Sequence, residues 1–256
     1  MFKRRKLLSQ NFLHDKGLVQ KLVQRSSIGK NDTVLEIGPG KGIITQQLLA
    51  EAHHTLAVEL DSNLCKFLID RFSTHKDFTL FEGDFLSFSL PRSDYKVFAN
   101  IPFQIEGEAV RKLIDSDNPP KDCYLIIRKD LAMRLAGIPR ENQFSLIHKP
   151  WFEFSIVYDF KPYDFFPSTR VKASMFRFVQ RQIPLIPDSQ KVQYQEFIRI
   201  GFGEGLPIIQ NLSKKYGQKK IRRILKALKI NNYSKPAELT IEEWVKLYNE
   251  LSFRFH

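Results

Sequence analysis

From Thr33 to Ile127, short apolar runs alternate with stretches whose apolar residues fall at helical spacing. Thr33–Ile37, Thr55–Leu60, Phe78–Phe81, Tyr95–Ala99 and Cys123–Ile127 read as strands. Residues 18–23, 43–51, 64–72 and 105–114 read as helices between or before them. Strands separated by single helices imply βαβ units and a mainly parallel sheet, because parallel neighbours need a crossover and the crossover is usually a helix. Residues 152–181 return to strands and loops, with Pro162 and Pro167, and fit an antiparallel edge pair. Past Pro184 and Pro187 the pattern is helical at 190–201, 207–215, 218–230 and 240–252. The expected architecture is α/β: a Rossmann-like domain with a mixed, mainly parallel sheet over residues 1–181, then a small all-helical domain over 182–256.

Composition narrows the class. Lys and Arg total 40 against 28 Asp and Glu, a formal charge of +12. Residues 214–229 (KKYGQKKIRRILKALK) hold eight cations and no acid, with Ile221, Ile224, Leu225 and Leu228 at helical spacing. Such a face suits a polyanion, above all nucleic acid; a membrane-surface helix or a solvated face has the same pattern. Lys219, Lys220, Arg222 and Arg223 are the candidate RNA contacts, with Arg4, Arg5 and Lys6 as a smaller cluster. Two cysteines, Cys65 and Cys123, exclude a disulfide scaffold and a cysteine zinc site. No apolar run is long enough for a membrane span, and no signal peptide is legible at Met1–Asp15, so a cytoplasmic, monomeric protein without a metal is expected.

The first strand ends in Glu36-Ile37-Gly38-Pro39-Gly40-Lys41-Gly42. A phosphate-cradling G-x-x-x-x-G-K-[ST] loop is absent, and the G-x-G-x-x-G dinucleotide pattern fails at Ile43. Gly38 and Gly40 still give a turn that a ligand approaches closely. Glu59 closes the next strand and is placed to accept both hydroxyls of a ribose. Asp84, after the third strand, is placed to accept an adenine amine. These strand ends together suit an adenosine without phosphates.

The fourth strand ends in Asn100-Ile101-Pro102-Phe103. An aromatic amine as methyl acceptor explains these residue types. The exocyclic nitrogen of adenine is a poor nucleophile because its lone pair is delocalised. The Asn100 side-chain carbonyl and the Ile101 carbonyl supply two acceptors for its hydrogens, and Pro102 fixes the backbone presenting the second. Phe103 offers a face on which a flipped-out base stacks.

These motifs, with Gln10-Asn11-Phe12-Leu13, Glu59-Leu60-Asp61 and Gly83-Asp84-Phe85, resemble in kind and order those of S-adenosylmethionine-dependent rRNA adenine N6-methyltransferases. The resemblance covers residues 8–180 well and the C-terminal part loosely. It implies S-adenosylmethionine as cofactor, held by Asn11, Leu13, Gly38, Gly40, Glu59, Asp84 and Asn100, and a flipped or unpaired adenine of ribosomal RNA as substrate. Two branches share the motifs. Asn-Ile-Pro-Phe and the stretch Lys149–Ser174, with Ser168, Thr169, Arg170 and Lys172 where further prolines and an aspartate would stand, resemble the Erm-type branch. That branch implies mono- or dimethylation of one adenine in large-subunit (23S) rRNA and macrolide-lincosamide-streptogramin B resistance. The alternative is the KsgA type, which dimethylates adjacent adenines of small-subunit rRNA during ribosome maturation. A non-catalytic RNA-binding protein would not need Asn100, Pro102 and Phe103 intact.

Overall fold

The computed structural model describes residues 12–168 and 170–252. Asn11 and the Arg4, Arg5, Lys6 cluster, singled out above, lie outside the described residues.

The elements run β1 (Phe12–Leu13), α1 (Lys16–Gln24), β2 (Thr33–Ile37), α2 (Ile43–Glu51), β3 (His54–Glu59), α3 (Ser62–Arg71), β4 (Phe78–Glu82), β5 (Lys96–Asn100), α4 (Glu106–Ile114), β6 (Asp122–Arg128), α5 (Lys129–Ala136), α6 (Gln143–His148), β7 (Phe152–Asp159), β8 (Phe165–Phe166) and β9 (Ala173–Gln180). Four helices follow: α7 (Lys191–Gly201), α8 (Ile208–Tyr216), α9 (Gln218–Ala227) and α10 (Ile241–Ser252). The main sheet has the order β4-β3-β2-β5-β6-β9-β7. Strands β4 through β6 in that order are parallel, and β9 runs antiparallel to β6. This is the Rossmann-like α/β fold of methyltransferases with a helical C-terminal region, as expected from the alternation of strand and helix.

Local chemistry explains the element starts. Asp15 accepts from Leu18 N at 3.0 Å and caps α1; Asp61 accepts from Asn63 N at 2.8 Å and caps α3. Strand β6 is covered on both faces, so it reads as the continuous apolar run Cys123–Ile127 rather than as an alternation. Val34, Phe98 and Ile126 from three adjacent strands pack with Val19, Leu22, Ile44 and Leu48 of α1 and α2.

Two compact units divide the chain. One holds residues 12–132 with 155–179, the other 133–154 with 180–252. Sequence analysis assigned 133–154 to the first domain; the structure groups this segment with the C-terminal helices. Its two helical elements are short, the last turn of α5 and the 6-residue α6. Within the second unit, Trp244 is fully buried between Phe197 and Phe202, with ring centroids at 5.4 and 5.9 Å. Gly201 is required there, since a Cβ would lie 2.3 Å from the Trp244 ring. Helix α9 buries Ile221, Ile224 and Leu225 and exposes Lys219, Arg222 and Arg223. No helix among the described residues is long and apolar enough to cross a membrane.

Candidate functional site

The site is built at the carboxyl edge of the parallel strands of the first unit, where doubly wound sheets bind their ligands. Strand β2 delivers the chain into the glycine turn. Gly38, Gly40 and Gly42 all have positive φ, at 65°, 58° and 75°. Close approach adds a second requirement at Gly40, where a Cβ would lie 2.6 Å from the Phe12 ring. At Gly38 a Cβ would meet the Pro102 ring at 3.7 Å, an ordinary contact. The turn and the Asn100–Phe103 tetrapeptide, 62 residues apart in the numbering of Gly38 and Asn100, are therefore neighbours in space.

Glu59 is 2% exposed and holds this edge together. Its Oε2 accepts from Gly40 N at 3.0 Å, and its Oε1 accepts from Leu60 N at 2.9 Å and Asp61 N at 3.0 Å. A carboxylate has about four lone-pair positions. Three are used here, which leaves one. The structural role of Glu59 in tying β3 to the glycine turn was not legible in the sequence. Asp84 is exposed, and its Oδ1 accepts from Leu86 N at 2.9 Å, capping the short turn of residues 85–87. Gly83 N donates to Glu59 O at 2.8 Å, so the two acidic strand ends are adjoining.

Glu36 lies beneath the turn, 1% exposed, and accepts from Thr45 Oγ1 at 2.7 Å. Burial pushes its pKa up to about 8 from 4.5; the Thr45 hydroxyl lowers it and the Glu59 charge raises it further. The folded protein holds this proton more tightly than the unfolded chain between pH 4.5 and 8. The contribution is therefore full below pH 4.5 and is lost as pH rises through 8, at about 1.4 kcal/mol per unit within that interval. Glu36→Gln keeps the shape and removes the titration. Thermal melts from pH 5 to 9 are expected to show a declining Tm for the wild type and a flatter profile for Glu36→Gln.

Asn100 closes β5 beside Ile126 of β6, and Ile101 N donates to Ile126 O at 3.1 Å. Pro102 O accepts from Ile105 N at 3.0 Å, whereas the Ile101 carbonyl has no donor among the described residues. That is the carbonyl assigned above to the target amine. Phe103 is half-buried and makes no ring contact with another aromatic among the described residues.

A cleft of about 250 Å³ opens between the glycine turn and the tetrapeptide. It is lined by Leu13, Gly38 and Asn100 of the expected set, together with Phe12, Lys41 and Phe166 among others. Glu59, Asp84 and Phe103 are not part of its wall. Phe12 and Phe166 meet because β1 pairs antiparallel with β8, Phe12 opposite Phe166 and Leu13 opposite Phe165. His14, for which no partner was legible in the sequence, has its Nε2 2.7 Å from Tyr163 O and ties the same two segments. The motif Gln10–Leu13 pointed at Phe12; nothing local pointed at its pairing with Phe166. Cys65 and Cys123 are buried, and burial raises both thiols, Cys65 to about 11, so neither is a nucleophile. Among the described residues no three His, Cys, Asp or Glu side chains cluster as a metal would require.

The cleft brings together the glycine turn at Gly38 and Asn100 at the end of β5, while Glu59, Asp84 and Phe103 stand at the neighbouring strand ends outside its wall. Over residues 1–252 the sequence matches the ribosomal RNA adenine dimethylase family, and the chain belongs to that family. A Nostoc sp. protein named ribosomal RNA small subunit methyltransferase A is 29% identical over 98% of this chain and 99% of its own length. A Bacillus anthracis rRNA adenine N-6-methyltransferase is 26% identical over 95% of this chain and 85% of its own. The crystal structure of the 23S rRNA methyltransferase ErmE superposes with a TM-score of 0.87 at 23% identity, covering 94% of this chain and all of that one, which bears on the fold alone. The chain is thus an rRNA adenine N6-methyltransferase with S-adenosylmethionine as its methyl donor.

Proposed function

We propose that this enzyme dimethylates adjacent adenines of small-subunit rRNA. The observation that carries the reading is the end-to-end match to the small-subunit methyltransferase of Nostoc sp., above the similarity to the Bacillus anthracis enzyme. The sequence analysis favoured the Erm-type branch and macrolide resistance on Asn100–Phe103 and on residues 149–174; the relatives favour its alternative. The large-subunit reading keeps as its support Ile101 and Phe103 of the tetrapeptide and the stretch of residues 149–174.

The roles proposed here are those the family resemblance implies: Gly38 and Gly40 lie against the cofactor, Leu13 helps close over it, Glu59 accepts from the ribose and Asp84 from the adenine of the donor; Asn11, assigned with Leu13, lies outside the described residues. The substrate adenine is flipped or unpaired and stacks on Phe103. Asn100 Oδ1 and the Ile101 carbonyl would accept its two N6 hydrogens and hold the nitrogen lone pair out of the ring. S-adenosylmethionine, when bound, would supply the methyl group as a sulfonium, and the methylated amine would give its proton to solvent. No strong base is needed, so orientation and electrostatics supply most of the rate. In the second unit, Lys219, Lys220, Arg222 and Arg223 contact RNA phosphates. Replacing all four is expected to weaken RNA binding and flatten its dependence on salt, measured by filter binding at several salt concentrations.

Incubation with labelled cofactor and protein-free small- and large-subunit rRNA, followed by mapping of the label, decides between the branches. Label on paired adenines of the small-subunit RNA is expected. Label on the large-subunit RNA alone overturns the reading in favour of the Erm type.

A further inference from the structure

One buried ion pair beside the tetrapeptide has no part in the chemistry above. Glu106 opens α4, three residues past Phe103, and is 1% exposed. Its Oε1 accepts from the backbone N of Arg128 at 2.7 Å, and its Oε2 accepts from Arg128 Nε at 2.8 Å. Arg128 ends β6, two residues past Ile126, which is the register partner of Asn100. The turn of residues 101–105 is thus fastened to β6 at both ends, by Ile101 N to Ile126 O and by Glu106 to Arg128.

The arginine is held in a particular way. Glu106 occupies Nε and the backbone amide, so the Nη1–Nη2 edge carries no hydrogen bond to any described residue, while the side chain is 42% exposed. The adjacent cation, Lys129, is committed to Asp159 at 2.6 Å. With Glu106 buried and Arg128 partly in water, the pair adds little net stability, because desolvation of the carboxylate offsets much of the attraction. What it does provide is position. Arg128 is a planar fork fixed in direction beside the turn of residues 101–105, and its free two-donor edge matches the oxygens of a phosphodiester.

We propose that the Glu106–Arg128 pair is a preset anion clamp: Arg128 binds a phosphate flanking the extruded adenine, and Glu106 is a positioning residue that fixes both this guanidinium and the acceptor turn. The proposal rests on the rRNA substrate of the preceding section. It predicts that Arg128→Met raises the KM for rRNA about tenfold and lowers the slope of log binding against log salt by about one, the loss of one phosphate contact. The KM for S-adenosylmethionine stays within about twofold. Arg128→Lys restores the salt slope but not the full kcat, since an ammonium lacks the fork. Glu106→Gln keeps the salt slope and lowers kcat. Should Arg128→Met fold poorly with Glu106 left unpaired, the double variant Glu106→Gln/Arg128→Met removes the buried charge and reads the same slope. An unchanged rRNA KM and salt slope in either Met variant would overturn the clamp and leave a structural tie. A wild-type enzyme that methylates no rRNA would overturn the functional reading instead, while filter binding of the same RNA would still measure the Arg128 contact.

Discussion

Asn100→Ala is expected to slow methyl transfer by about two to three orders of magnitude, the cost of removing one preorganised polar group from a transition state. The side chain sits at the end of β5 on the wall of the cleft, next to the Ile101 carbonyl, which has no donor among the described residues. Without it, one N6 hydrogen of the substrate is unheld and the lone pair stays in the ring. The backbone of β5 is set by its ladder to β6, which the substitution does not touch. Stability is therefore expected to change little, by about 1 kcal/mol or less. Single-turnover transfer to rRNA, with a thermal melt on the same sample, checks both halves. A variant that melts with the wild type and retains a tenth or more of the rate would remove Asn100 from the chemistry.

Glu59→Ala is expected to combine two losses. Three backbone amides, of Gly40, Leu60 and Asp61, lose their acceptor at a position that is 2% exposed. Of these bonds the one from Gly40 is buried and those from Leu60 and Asp61 are partly open to water, and a buried donor left unmade costs about 1–3 kcal/mol, so a loss in that range is expected in chemical denaturation. The glycine turn is then untethered from β3 at the position proposed to take the ribose. Cofactor affinity is expected to fall at least a hundredfold by calorimetry. Glu59→Gln separates the effects. The amide fills the same volume and accepts through its oxygen, but its NH2 faces the Gly40 N–H, so stability is partly kept while the ribose acceptor is lost. A Glu59→Gln protein that binds S-adenosylmethionine as the wild type does would show that Glu59 serves the turn alone.

The parts of this fold that depend on local pattern were readable from the residues. Strands β2 to β6 and the helices between them follow from apolar runs and their spacing, and the C-terminal helices from period and proline placement. Helices α5 and α6 were missed because Lys129–Ala136 is mixed with charge, Gly137 and Pro139 interrupt the stretch, and Gln143–His148 is a helix of 6 residues. Pairings between distant segments left no local mark. Phe12 opposite Phe166 and Glu106 with Arg128 both depend on register across the fold, and a two-residue strand such as β8 has no period to detect. In the site, residue types singled out Asn100, Glu59 and Asp84 as candidate acceptors. They did not give the protonation of Glu36, which follows from burial, or the use of three of Glu59's lone pairs by the backbone.

The central claim is that a cleft for a sulfonium nucleoside opens beside two acceptors that hold an adenine amine. Its most direct test is chemical identification of the product. Wild-type enzyme, S-adenosylmethionine and protein-free rRNA are incubated together, the RNA is digested to nucleosides and these are resolved by mass spectrometry. N6-methylated adenosine, reaching the dimethyl form at completion and absent with Asn100→Ala, is the expected result. Methyl groups on another base, on ribose, or on adenine to the same extent with Asn100→Ala would contradict it.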